Sequence, residues 1–407
     1  MKYLRKEKLS LASIFFTFFV DNLSWSIVFP VFAPFFIDPS NELFSSDVSI
    51  AARTTILGVF LMSFPLAQFF GAPIIGEYAD RFGRKKSLVY TIFFTVIFFG
   101  LTAYSMQKEM LWLLFISRFF TGIFSGNLSI CLASVADLSS NEKIRIKNFG
   151  YLAVIAGLSF IVGAFIGGKL SDPDYGAFFN PALPFWVAMG LAFINLLFVA
   201  FAFTETGKVD PSVKFDFLHG IHNIQKALRT KKIKSIYAIY FLFMFSWNIL
   251  LQFTPVLLVD SFDFDNSEIG DVAAYMGVCW ALGSSYVTRF MLKRFAPIKV
   301  LEFSLLLFTV FCSTILFLKE INWVLIVIGI CVILTGVAWP LCTNLISSRA
   351  DKDMQGKVLG ISQSMQSLAM AISPLVGALT YFYMGFPFLI AVLTSFMAGL
   401  FYFFARI

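Results

Sequence analysis

A run of about twenty apolar residues, closed by charge and repeated along a chain, leaves a polypeptide few ways to fold. Such runs lie near 10–37, 54–76, 87–106, 110–136, 149–170 and 183–204. After a polar stretch they recur near 235–259, 269–292, 299–318, 323–346, 357–383 and 387–405. Each is long enough to cross about 30 Å of hydrocarbon as an α-helix, which satisfies every backbone amide and carbonyl within the segment. Strands of a membrane barrel would be about half as long and would alternate in polarity; these runs do not. With 58% hydrophobic and only 14% charged residues, 407 residues could not wrap such a core in polar surface. The reading is an all-α membrane protein of twelve transmembrane helices, spans 1 to 12. The 53 Phe then serve as lipid-facing residues and need no cofactor to explain them.

The formal charge of +7 would suit a nucleic-acid partner if it were spread over one soluble face, but its distribution argues otherwise. Twenty-six of the 31 Lys and Arg fall in the two termini, the loops between spans 2–3, 4–5, 8–9 and 10–11, and the segment after span 6. Arg53, Lys108, Lys169 and Lys319 lie on the other side, and Arg118 lies within span 4. Positive residues collect on the cytoplasmic side, which places both termini there and excludes nucleic acid as the reason for the charge. MKYLRKEKLS imitates a secretory leader, but the apolar run behind it is too long and lacks a small-residue cleavage site, so it reads as an uncleaved first span. Residues 205–234 divide an N-terminal six-helix bundle, 1–204, from a C-terminal one, 235–407. Within that linker Leu218, Ile221, Ile224 and Leu228 recur at helical spacing opposite basic residues, as in a helix lying on the inner membrane surface. His219 and His222 belong to the same solvated face, and the five Cys sit singly in apolar runs as small core residues, so no metal or other cofactor is expected.

Offsetting the chain by 210 lays GAFIG (163–167) over SPLVG (373–377); separately, and at a somewhat different offset, SWSI (24–27) resembles SWNI (246–249). Two related halves are the sequence trace of a carrier whose halves rock about a central site. The charge knot between spans 2 and 3, GEYADRFGRKKS (76–87), adds a motif. Its pattern, Gly76, Asp80, Arg81, Gly83, Arg84 and Lys85, resembles the loop signature of the major facilitator superfamily. LLFISRFFTGIFSGN carries Arg118 and Gly122 where that family has R-x-x-x-G, and ASVAD (133–137) ends the same span. VDNLSWSIVFPVFAP (20–34) is similar to span 1 of the drug–proton antiporters, the tetracycline exporters above all; FTET (203–206) and QGKVLG (355–360) also have counterparts there. One position departs: the G-x-x-x-G-P-x-x-G-G run usual in span 5 has Ala164 in place of Pro. The loop at 289–299 keeps basic charge but lacks the Asp and Gly, so the two loops are not equivalent.

The resemblance implies a cytoplasmic gate of Gly76, Asp80, Arg81, Gly83, Arg84 and Asp137. In it Arg84 reaches Asp137, and Asp80 faces the positive end of span 11 near Lys357–Gly360. Gly76 would let span 2 approach span 11. Inside the membrane, Asp21 lies about 16 Å into span 1 and Arg118 about 12 Å into span 4, at depths where a charge costs about 2.5–3.5 kcal/mol or more. Two readings of the pair stand: a structural ion pair, or a proton site on Asp21 whose affinity Arg118 helps set. Trp25, Gln68, Asn195, Asn248, Gln252, Trp280, Trp339, Gln363 and Gln366 are the candidates to line a substrate cavity, set against the commoner role of such residues as interhelical glue. Glycosylation sequons at Asn22 and Asn127 lie within spans and carry no reading.

The chain is therefore expected to be a monomeric secondary transporter in a bacterial inner membrane. It would move a small organic solute, with the proton as coupling ion and export as the leading direction. Proton-symport uptake of a nutrient or iron-chelate is the alternative, and a non-transporting sensor or scaffold stands behind it. No GxSxG, HExxH or Walker A pattern points to an enzyme.

Overall fold

The computed structural model describes residues 2–38, 43–45, 47–139, 142–206, 234–348 and 355–384, with scattered positions in 209–225 and 391–397. Its α-helices are α1 (Lys2–Ser26), α2 (Val28–Ile37), α3 (Ile50–Phe82), α4 (Arg84–Gln107), α5 (Leu111–Phe124), α6 (Asn127–Asp137), α7 (Glu142–Ser171) and α8 (Leu183–Ala202). They continue as α9 (Lys234–Phe262), α10 (Asn266–Leu282), α11 (Thr288–Leu292), α12 (Pro297–Thr314), α13 (Ile321–Ser348) and α14 (Gln355–Met384). Among the described residues there is no strand, and nine helical stretches are long and apolar enough to cross a membrane. Of the remaining runs, 269–292 is interrupted by a π-helical turn at Gly283–Val287, and 357–383 lies within the continuous α14. The run at 387–405 and the amphipathic segment of 205–234 fall largely outside the described residues.

Two crossings are broken, for local reasons. Span 1 parts at Ile27 because Pro30, one turn on, has no N–H to offer Ser26. The Ser26 hydroxyl lies within hydrogen-bonding distance of the carbonyls of Leu23 (2.8 Å) and Ser159 (3.2 Å). Span 4 parts at Ser125–Gly126, where Gly126 is pressed so closely on α3 that a Cβ would lie 2.9 Å from Ala72 Cα.

The chain clusters into two compact units. The first holds residues 1–35, 66–219 and 265–271; the second holds 36–65, 220–264 and 272–407. In the first, α1 packs on α6, α7 and α8, while α4 packs on α5 and α8. Its core gathers Ile14 and Phe18 of α1, Ile75 of α3, Leu88 and Ile92 of α4, Ile130 and Val135 of α6, Leu152 of α7 and Val199 of α8. The small residues of α7 serve two seams. A Cβ on Gly163 would lie 2.7 Å from Leu23 O, and one on Gly167 3.2 Å from Ile27 Cα, both on the α1–α2 side. A Cβ on Gly168 would meet Gly270 Cα at 2.8 Å, and one on Gly270 would meet the Ala164 carbonyl at 2.9 Å, on the side of α10. Lys169 closes this second seam with bonds to Ser267 (2.5 Å) and Asp271 (3.0 Å). In the second unit α14 packs on α9 and α13, and α12 on α13. There α3 contributes Gly58, where a Cβ would lie 2.7 Å from Pro374 O.

Candidate functional site

The charge knot ends α3 and starts α4 through Gly83, whose φ of +100° suits only glycine. The following turn exposes two backbone amides, and both are taken by one carboxylate. Arg84 N donates to Glu205 Oε1 (2.9 Å) and Lys85 N to Glu205 Oε2 (3.0 Å). A Cβ on Gly83 would lie 2.5 Å from that carboxylate, so backbone angle and neighbour require the same residue. Glu205 is held in place because Thr204 is stitched to α1: Thr204 N donates to Ser10 Oγ (3.0 Å), and the two hydroxyls share a bond of 2.8 Å. Arg84 pairs with Asp137 at the end of α6 and reaches Thr206 at 3.5 Å. The Arg81 guanidinium lies over the Phe82 ring, 5.3 Å from its centroid. Asp80 is exposed. Gly76 has room, since among the described residues a Cβ there would meet only Ser129 Oγ, at 3.9 Å. The side chains of 357–360, assigned to face Asp80, lie outside the described residues.

Deeper in the first unit, Asp21 and Arg118 take separate partners. Asp21 Oδ1 accepts from Asn127 Nδ2 (3.4 Å), and Oδ2 is buried without a hydrogen-bond partner among the described residues. Arg118 is buried, with its guanidinium over the Phe32 ring at 5.5 Å. Asn127 also accepts from Thr91 Oγ1 at 2.6 Å, so α1, α6 and α4 meet in one polar chain. Trp25, on the same face of α1 as Asp21, stands 6.0 Å from the Phe160 ring. Asn195 is committed to packing, accepting from Thr17 (3.0 Å) between α8 and α1. Gln68 bonds Ser125 O at 3.5 Å, beside the break in span 4.

In the second unit the candidate residues are neutral. Trp280 and Trp339 lie 6.0 Å apart, beside the π-helical turn. The Tyr240 hydroxyl donates to Gln366 Oε1 (3.0 Å). Gln252 Oε1 is buried without a hydrogen-bond partner among the described residues. Asn248 donates to Met244 O of its own helix (2.7 Å), and Gln363 is exposed.

Three residues with evident work were not singled out from the sequence. Asn127 was legible only as a sequon, and Glu205 only as part of FTET. Arg53, 2% exposed, donates to the carbonyls of Asp38 (2.7 Å), Val48 (3.2 Å) and Ser45 (3.4 Å) and so pins the segment before α3. A lone Arg at the start of an apolar run was the signal available for it.

Long apolar helices that keep a carboxylate, a guanidinium and paired amides in their interior define an integral, multi-pass membrane protein of the transporter kind. The chain belongs to the Major Facilitator Superfamily, whose profile matches residues 14–374. It is similar to the class H tetracycline resistance protein of Pasteurella multocida, 26% identical over 347 residues that cover 84% of this chain and 83% of that one. Its fold is that of the human organic anion transporter MFSD10 (TM-score 0.72, 20% identity, 97% of this chain and 99% of that one). A D-xylose–proton symporter is equally similar in fold (TM-score 0.73, 16% identity, 97% and 96%). The protein is a transporter rather than an enzyme.

Proposed function

We propose that the protein exports a small organic solute across a bacterial inner membrane in exchange for protons, by alternating access. Twelve spans in two six-helix bundles, 1–204 and 235–407, are joined by 205–234, with both termini cytoplasmic. The observation that carries this reading is Asp21, a carboxylate in the interior of span 1 whose Oδ2 is buried without a hydrogen-bond partner among the described residues. An acid so placed is costly unless it is used, and taking up and releasing a proton is a use that a change of surroundings would drive. Resistance to a drug is the outcome that export would give, which is why the tetracycline relative supports this direction. The neutral and aromatic groups around Trp280, Trp339 and Gln366 suit an amphiphilic organic solute better than an inorganic ion. Arg84, Asp137, Glu205 and Gly83 act as the cytoplasmic latch, because their contacts fix the start of α4. A monomer suffices for the account.

The second reading is uptake by symport, favoured by Ala164 at the place where the exporters have Pro and by the fold shared with a D-xylose–proton symporter. Proteoliposomes of the full chain, carrying a trapped pH dye and offered tetracycline and a set of amphiphilic compounds, separate the two. Export predicts that at least one compound and protons move in opposite directions. Movement in the same direction would establish uptake, and solute flux with no proton flux would end the coupled reading.

A further inference from the structure

Asp21, Asn127 and Thr91 form a chain whose members differ in what they can donate. A carboxylate only accepts, a protonated carboxyl also donates, an amide has one end of each kind, and a hydroxyl does both. In the structure the Thr91 hydroxyl lies within bonding distance of three acceptors: Asn127 Oδ1 (2.6 Å), Ser87 O (2.9 Å) and Leu88 O (3.1 Å). Its single proton can serve one of them well. When it serves Asn127 Oδ1, the amide is oriented with Nδ2 toward Asp21, an arrangement that suits an ionised carboxylate. When it turns to Ser87 O, the Thr91 oxygen becomes an acceptor for Asn127 Nδ2. The amide is then reversed, and its oxygen faces Asp21 ready to accept from a protonated carboxyl.

From this we infer that Asn127 and Thr91 are positioning residues for the proton on Asp21, the amide of Asn127 reversing as that proton arrives and leaves. The inference rests on the reading of Asp21 as the coupling site. The proton comes from water on whichever side the site is open and returns to water; the switch itself only exchanges hydrogen bonds. In both states Asp21 keeps a hydrogen bond to Asn127 without moving a helix. Asn127 sits in the first turn of α6, directly after the break at Ser125–Gly126. The surrounding groups are mostly neutral. Cys131, one turn along α6, is a buried titratable neighbour. From α8 the polar contact to α1 is Asn195 on Thr17, from α7 it is Ser159 O on Ser26, and the Arg118 guanidinium of α5 lies over Phe32 of α2.

Infrared difference spectra of the full chain in lipid, titrated with pH, test this without any substrate. The carboxyl C=O band that disappears in Asp21→Asn reports the proton on Asp21. Asn127→Leu removes a donor to the charged form and should move the midpoint of that band toward higher pH by about one unit. Thr91→Val should move it less, Thr91→Ser should leave it in place, and Thr91→Val added to Asn127→Leu should change nothing more. In the unsubstituted protein, isotope-labelled asparagine should show a side-chain carbonyl band with the same midpoint, which keeps the test open if a variant fails to fold. A midpoint unmoved in Asn127→Leu, an asparagine band that does not titrate, or the lack of any band removed by Asp21→Asn would each overturn the inference. A switch that behaves as described in a protein whose Asp21→Asn variant still couples transport to protons would leave the switch standing and remove the coupling role.

Discussion

In the first unit α7 lies along α1, and in the second α14 lies along α9, each pair packed at a glycine related by the same offset of the sequence, Gly167 and Gly377. Aligning SWSI with SWNI in the sequence makes Phe243 of α9, which is fully buried, the counterpart of Asp21 of α1. Near that point the first unit holds a carboxylate bonded to an amide, whereas the second holds a ring, with Tyr240 bonded to Gln366 and Trp280 beside Trp339 nearby. A repeated scaffold has thus been filled with ionisable chemistry on one side and with neutral, aromatic chemistry on the other. On the proposed function this is a division of work: proton handling falls to the first and contact with an amphiphilic solute to the second.

The seams give the largest expected contrast. A Cβ on Gly163 meets the backbone of Leu23, while one on Gly377 meets the ring of Phe253, a side chain rather than backbone. Gly163→Ala should therefore destabilise the protein by about 1–3 kcal/mol, the usual range for overpacking, and Gly377→Ala by less. Thermal unfolding in detergent compares the two, and equal losses would mean that the halves are packed alike after all. Next, Trp339→Ala should raise the KM for transport about tenfold, the loss of one aromatic partner, with the pH profile of transport unmoved. A shifted profile would show that the second unit also handles the proton. The smallest effect is at the loops. Glu205→Ala leaves the Arg84 and Lys85 amides without their carboxylate and should cost about 1 kcal/mol, whereas Glu302→Ala, near the loop at 289–299, should fall within about 0.5 kcal/mol of zero. Chemical denaturation of the two variants ranks them.

The spans were legible because hydropathy is a property of contiguous residues, and the knot at 76–87 because its charges interrupt apolar runs. Contacts that join distant parts of the chain were not. Glu205 lies some 120 positions from the helix start it caps, and nothing in FTET says where its carboxylate points. Asn127 looked idle because a polar residue in a span is commonly glue; its meaning depends on Thr91 and Asp21 arriving from two other helices. The breaks after Ser26 and Phe124 and the π-helical turn at Gly283–Val287 interrupt runs whose hydropathy is continuous. Pro30 was a visible cause for the first, while the second depends on α3 pressing against Gly126. The small-residue run of α7 was visible as a motif, but its division into one seam on α1 and another on Gly270 needed the fold.

The central claim is that Asp21 carries the coupling proton, and Asp21→Asn tests it most directly, because the amide keeps the size of the side chain while fixing it uncharged. In proteoliposomes the variant should lose accumulation of solute driven by a pH gradient, to less than about a tenth of the unsubstituted rate, yet still exchange labelled for unlabelled solute without a gradient. A variant that still drives solute against its gradient at the unsubstituted rate would contradict the account and return Asp21 to a purely structural role.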